Sequence, residues 1–258
     1  MSDPGHLTTP AYWERYIRRF RWPRRNDQRR MPWRVVDRVL RRHLPGTPLQ
    51  VLEVGCAASA WLPYFATSGH ACWGMDYSTT GCKTAATNLR HYGARARVWC
   101  ADLFAPAVVP DRFDVVFSNG FVEHFTDTRT VMRALAALAR PGGWIVTVVP
   151  NLAGWAGRGF RMVNPEAFAQ HLVLAPDELR AAHAAAGLTT LHADYCGVWF
   201  PFLWSATDGR FPRGSGFALK VLVHATARPV WALTRMSGRY PESRRGSPWV
   251  LAVAQRLG

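Results

Sequence analysis

VLEVGCAASAWL, residues 51–62, is the stretch on which the fold turns. A short apolar run carries one acid, Glu53, and reaches Gly55. A string of the smallest side chains follows before bulky apolar residues resume at Trp61. A buried strand that enters a tight turn and then a helix has this texture. Small residues at such a turn serve packing, or they let a ligand approach the backbone where the helix N-terminus favours an anionic group. This stretch alone does not separate the two.

Outward from it, apolar runs alternate with helical stretches. LQVLEV, ACWGMD, ARVWCAD, FDVVFSN and WIVTVVPN read as strands, and AWLPYFATSG, TGCKTAATNLRHYG and TRTVMRALAALARPGG as helices, the last closing in a turn. This order predicts an open parallel sheet with helices on both faces. PDELRAAHAAAG then reads as a helix, LTTLHADYCGVW as a strand, ALKVLVHATARPVWALTRM as mostly helical and SPWVLAVAQR as a final strand. Residues 151–172, NLAGWAGRGFRMVNPEAFAQHL, are expected to be irregular. Residues 1–47 are expected to form an N-terminal helical extension and a candidate lid, ahead of one domain over residues 48–258. Within the extension, Thr8, Thr9 and Pro10 mark a helix start. RWPRRNDQRRMPW interrupts the pattern, and a second amphipathic helix is expected over Trp33–His43 with Val35, Val36, Val39 and Leu40 inward.

The chain has 258 residues, 48% of them hydrophobic and 19% charged, enough for a full core. The five cysteines form no C-x-x-C pair, so buried free thiols are expected and no metal site. The net charge of +15 is uneven: +8 over residues 1–50, zero over 51–206 and +7 over 207–258. Such flanks attract nucleic acid or an anionic surface, unless they are only a solvated arginine-rich exterior; 30 arginines against two lysines fit a compositional bias as well. The N-terminus lacks an apolar signal core, and Lys220, His224 and Arg228 interrupt the longest apolar segment near the C-terminus. A cytoplasmic protein without a transmembrane segment, monomeric or homodimeric, is expected.

The chemistry-bearing residues sit at predicted strand tips. Asp76 ends the second strand, 23 residues after Glu53, where an acid can accept hydrogen bonds from a ribose diol. Asp102 follows the third strand. Ser118 and Asn119 end the fourth, before Gly120. Each has a capping or solvent-facing alternative, but four such tips in this order are hard to obtain by chance.

With these motifs the sequence resembles the class I, Rossmann-like S-adenosylmethionine-dependent methyltransferases over residues 48–258. VLEVGCAAS resembles the family's first motif, GMDYS its acidic second-strand motif, ADLF its adenine-side motif, and FDVVFSNGFVEHF and LARPGGWIVTVVPN its fourth- and fifth-strand regions. The resemblance implies a doubly wound seven-stranded sheet with the last strand antiparallel. It implies S-adenosylmethionine as cofactor, S-adenosylhomocysteine as product and residues 151–172 on the acceptor side. By resemblance Glu53 serves the methionine amine, and Gly55, Cys56 and Ala57 the loop. Asp76 serves the ribose; Tyr77, Ala101, Asp102 and Leu103 the adenosine side; Asn119 and Gly120 the sulfonium side. The family pattern E/D-x-G-x-G-x-G is broken: Ala57 and Ser59 replace its second and third glycines, which predicts an altered loop path.

His124 and His171 are candidate bases, with structural roles as the alternative. Tyr195 and Trp199 line the acceptor pocket or pack in the core. The expected acceptor is a bulky, partly apolar small molecule of bacterial specialised metabolism, methylated on oxygen, with nitrogen, sulfur or carbon open. A nucleic-acid methyltransferase is favoured only by the flanks; the fourth-strand turn lacks the D/N-P-P-Y/F of exocyclic-amine enzymes. A nicotinamide dehydrogenase is disfavoured because GCAASA does not give G-x-G-x-x-G. A non-catalytic cofactor-binding protein remains the fourth reading.

Overall fold

The computed structural model describes residues 4–18, 31–57, 59–105, 110–199, 221–222 and 225–258. Seven strands, β1 (Gln50–Val54), β2 (Ala71–Asp76), β3 (Ala96–Cys100), β4 (Phe113–Asn119), β5 (Ala139–Pro150), β6 (Leu188–Cys196) and β7 (Trp249–Arg256), form one sheet in the order β3-β2-β1-β4-β5-β7-β6. β1 to β5 are parallel, and β7 runs antiparallel between β5 and β6. The chain winds outward from β1 to β3, then returns to β4 on the other side of β1. That reversal opens a crevice at the carboxyl ends of β1 and β4.

Both faces of the sheet are covered, which is why its central strands read as continuous apolar runs. Val51, Val115, Phe117, Val146 and Val148 pack to one side; Leu52, Val54, Val116, Ile145 and Val149 pack to the other. The first face is closed by α2 (Met31–His43), through Val35, Val36, Val39 and Leu40, with α3 (Trp61–Thr67) and α4 (Thr79–His91). The second is closed by α5 (Thr128–Leu138) and α8 (Pro176–Ala185). Ser78 Oγ starts α4 by accepting the Gly81 N–H at 2.9 Å, and Asp127 starts α5 by accepting the Thr130 N–H at 3.1 Å. α1 (Pro10–Arg18) begins where expected, with Thr9 Oγ1 accepting the Tyr12 N–H at 3.2 Å.

Two local expectations fail. Residues 151–172 are not irregular: they hold α6 (Trp155–Val163) and the short α7 (Pro165–Phe168). Glycine is required inside α6 at one point by close packing: a β-carbon on Gly157 would lie 2.2 Å from the Leu152 carbonyl oxygen. Asn164 then caps α7 through the Ala167 N–H, with Pro165 in its first turn. β5 also starts earlier than expected, at Ala139, because Pro141 and the left-handed Gly142 (φ +74°) cannot extend α5. The register shifts there between Phe113 and Val115.

A further helix, α9 (Ala227–Ser237), precedes β7. The interrupting run over residues 21–30 lies outside the described residues, as does FPFLW, residues 200–204, which with Tyr195 and Trp199 was expected to line the acceptor pocket. Among those described, no helix is long and apolar enough to cross a membrane.

Candidate active site

β1 carries Glu53 into the crevice with no exposed surface. Neither carboxyl oxygen has a hydrogen-bond partner; the Ser59 hydroxyl and Leu62 N–H approach without completing one. Burial pushes its pKa up to about 8. Gly55 turns the chain at φ +74°, and a β-carbon there would meet the Phe121 ring at 2.9 Å. Cys56 gives its side chain to the core, opposite Gly74, and leaves only its backbone for ligand contact.

The altered loop is accommodated from the other side of the crevice. Ala57 needs no left-handed backbone, and its extra methyl lies against Gly81 in the first turn of α4. A β-carbon on Gly81 would sit 2.5 Å from the Ala57 methyl. The glycine missing from the loop is matched by one in the facing helix. Ser59 also has a use glycine lacks: its Oγ accepts the Trp61 N–H at 2.9 Å, at the start of α3.

Asp76 joins both sides of this turn. Its Oδ2 accepts the Ala57 N–H at 3.2 Å and its Oδ1 the Ser78 N–H at 2.8 Å. Burial raises its pKa to about 6 against those two bonds. Tyr77 is half-buried, its hydroxyl pKa raised to about 12 by burial. Along the crevice, the Ala101 N–H donates to the Asp76 carbonyl at 3.0 Å, and exposed Asp102 accepts the Phe104 N–H at 3.0 Å. Leu103 is buried against Met75 and Phe125 in the same apolar cluster. Gly120, at φ +69°, donates its N–H to Val148 at 2.9 Å and turns the chain after half-buried Asn119.

The structure brings the two histidines together, with ring centroids 4.4 Å apart. His124 lies in a 3-10 turn (Val122–His124) after β4, and His171 lies beyond α7. His124 Nδ1 is 2.9 Å from the Gln170 carbonyl, and His171 Nδ1 is 2.8 Å from that of Ala167. Carbonyls only accept, so each Nδ1 carries the proton and each Nε2 is bare in the neutral ring. Burial drives His124 down to about 3, helped by His171, and lowers His171 as well. His124 is therefore a weak base, while His171 is the more open of the two. Glu123, buried and pushed up to about 8, stands 4.0 Å from His124 Nε2.

The N-terminal segment meets this ground through contacts that its sequence did not announce. Residues 4–7 run along the segment after the 3-10 turn: the Leu7 N–H donates to His124, and the Thr126 N–H to Gly5. His6 packs on Phe104 and Phe125, and Trp13 sets its ring edge-on to His124. Glu14 accepts from Ser78 Oγ at 2.7 Å and from the Thr80 N–H at 3.1 Å, and the Thr80 side chain, then Ser78 and the Thr80 backbone, lower its pKa to about 2. One acid in an arginine-rich helix gave no signal of this. Trp199 packs with Leu152 and Phe160, whose ring meets His171, whereas Tyr195 packs against the core of the α5 face.

A methyltransferase-domain family model matches residues 14–193. A ubiquinone biosynthesis O-methyltransferase of Methylobacterium nodulans is 26% identical over 205 residues, 74% of this chain and 77% of that protein. One of Leptothrix cholodnii is 32% identical over 100 residues, 38% of this chain and 42% of that protein. Of solved structures, an N-methyltransferase of Haemonchus contortus superposes with TM-score 0.59 at 14% identity, over 86% of this chain and 52% of that one. A geranyl diphosphate C-methyltransferase of Streptomyces coelicolor gives 0.56 at 14%, over 85% and 78%. Both were solved with S-adenosylhomocysteine, and at such identity they speak for the fold. The sheet order, the crevice and the family match agree: the chain belongs to the methyltransferase-domain family and is a class I S-adenosylmethionine-dependent methyltransferase.

Proposed function

We propose that the chain methylates an oxygen of a small, partly apolar acceptor, with His171 receiving the acceptor's proton. The observation that carries this is the buried His124–His171 pair at the carboxyl end of β4, between Trp13 and Phe160. The names of the relatives favour oxygen and lend nothing to specialised metabolism.

The residues present fit the cofactor. S-adenosylmethionine, when bound, supplies a methyl group activated by positive sulfur. Glu53, a buried carboxyl with two open oxygens, would hold the ammonium, and Gly55 would admit it to the backbone. Asp76, with lone pairs beyond its two amide bonds, would take the ribose hydroxyls. Tyr77, Ala101, Asp102 and Leu103 would frame the adenine, and Asn119 and Gly120 the sulfonium side. The chain's remaining task is alignment of the acceptor and removal of its proton. In this reading His124 orients the acceptor and His171, and residues 4–18 close the site as a lid pinned by Glu14.

The test is incubation with S-adenosylmethionine and a panel of phenols, catechols and amines, with mass detection of methylated product. Oxygen methylation is expected, and His171→Gln should lower kcat roughly 100-fold while cofactor Kd stays within about twofold. Methylated amine or RNA as the only product would sink the proposal. So would a His171→Gln enzyme as active as the parent.

A further inference from the structure

Helix α9 departs from the rule that a surface helix turns its apolar stripe inward. Pro229, Ala232, Leu233 and Met236 fall at i, i+3, i+4 and i+7, and all four are exposed, Leu233 by 66% and Met236 by 84%. The inward side is filled separately by Ala227, Val230, Trp231 and Thr234. A helix apolar on two sides is ordinarily enclosed. Exposed Arg228, Arg235 and Arg239 flank the outward stripe, and residues 221–241 contain no Asp or Glu.

Helix α6 repeats this composition beside it. Trp155 and Met162 are exposed by 55% and 84%, next to exposed Arg158 and Arg161, and residues 152–165 contain no acid. The helices are tied through Trp199. Its ring lies 6.3 Å from that of Trp155, its Nε1 donates to Thr226 at 2.6 Å just before α9, and its carbonyl accepts from Trp231 at 3.0 Å.

We propose that α9, with α6 beside it, is a docking face for an anionic membrane surface. Leu233 and Met236 enter the acyl boundary, the arginines meet lipid phosphates, and Trp155 sits at headgroup level. Charge selects this occupant. A second copy of the chain, docked on the same face, would set like-charged arginines against each other, and residues 152–165 and 221–241 hold no acid to offset them. Single-stranded nucleic acid wants aromatic platforms under its bases, and the centre of this stripe is Leu and Met. Leu233, Met236, Trp155 and the arginines are not among the residues assigned to the cofactor or to proton removal, so the proposal does not rest on the acceptor's identity.

Co-sedimentation of the full chain with vesicles tests it, using phosphatidylcholine alone and phosphatidylcholine with one part in three phosphatidylglycerol. Partitioning onto the anionic vesicles should be at least about tenfold stronger and should weaken with salt. Leu233→Ser with Met236→Ser should cost roughly tenfold, and Arg228→Gln roughly fivefold. These side chains are exposed, so circular dichroism and S-adenosylmethionine affinity should not change. Absence of vesicle binding overturns the proposal, as does equal binding to neutral and anionic vesicles. An RNA complex or a dimer that forms in place of vesicle binding, and is lost in the Leu233/Met236 variant, also overturns it.

Discussion

Glu53 shows how much one side chain can report. Its pKa is raised in the folded state from 4.5 to about 8, so between those values the native protein holds a proton that the unfolded chain has released. Stability therefore falls as pH rises through that window and levels above it. Glu123 acts with the same sign. The buried histidines act oppositely, because His124 and His183, lowered to about 3 and about 4, cost stability only where the unfolded chain protonates, below about 6.5. Between pH 6.5 and 8 the two acids act unopposed. Urea melts of the ligand-free protein should lose up to about 1.4 kcal/mol per pH unit per acid there. Glu53→Gln should remove its share of that slope. Calorimetry gives the converse: affinity for S-adenosylmethionine should rise with pH over the same range, because an ammonium prefers the ionised carboxylate, and Glu53→Gln should flatten the rise. A pH-independent parental affinity would mean that Glu53 does not meet the ammonium.

At the scale of the element, the loop after β1 and the first turn of α4 are one packing unit. Ala57 fits because residue 81 has no side chain. Gly81→Ala should destabilise by about 1–3 kcal/mol through overpacking. Ala57→Gly in the same chain should return most of that loss. Denaturant midpoints for the four members of the cycle measure the coupling, and simple additivity would refute the compensation. The same turn explains why the loop was legible as a turn but not in its partners. Strand tips can be read from local apolar runs, whereas the glycine opposite Ala57 lies 24 residues on, inside a stretch that reads only as helix. Residues 151–172 failed for a related reason. Gly157 and Gly159 weaken a helix in isolation, yet both are buried, and at Gly157 the Leu152 backbone packs too closely for a side chain.

Across the whole molecule, the N-terminal segment links the loops after β2, β3 and β4 through Glu14, His6 and Trp13. If this segment is a lid, Glu14→Gln should speed S-adenosylhomocysteine release by roughly tenfold in stopped-flow displacement, with the melting temperature nearly unchanged. An unaltered release rate would leave Glu14 as a cap of α4 alone. The sequence by itself determined the βα alternation and the acidic strand tips, because strand burial and turn chemistry are written in neighbouring residues; the antiparallel end of the sheet followed only from the family resemblance. Only the tertiary structure decided that His124 and His171 share a contact, that Glu53 has no partner, that Gly81 makes room for Ala57 and that α9 keeps an apolar stripe in water. Each of these depends on distance or solvent access between residues remote along the chain, and these are fixed only when the elements pack.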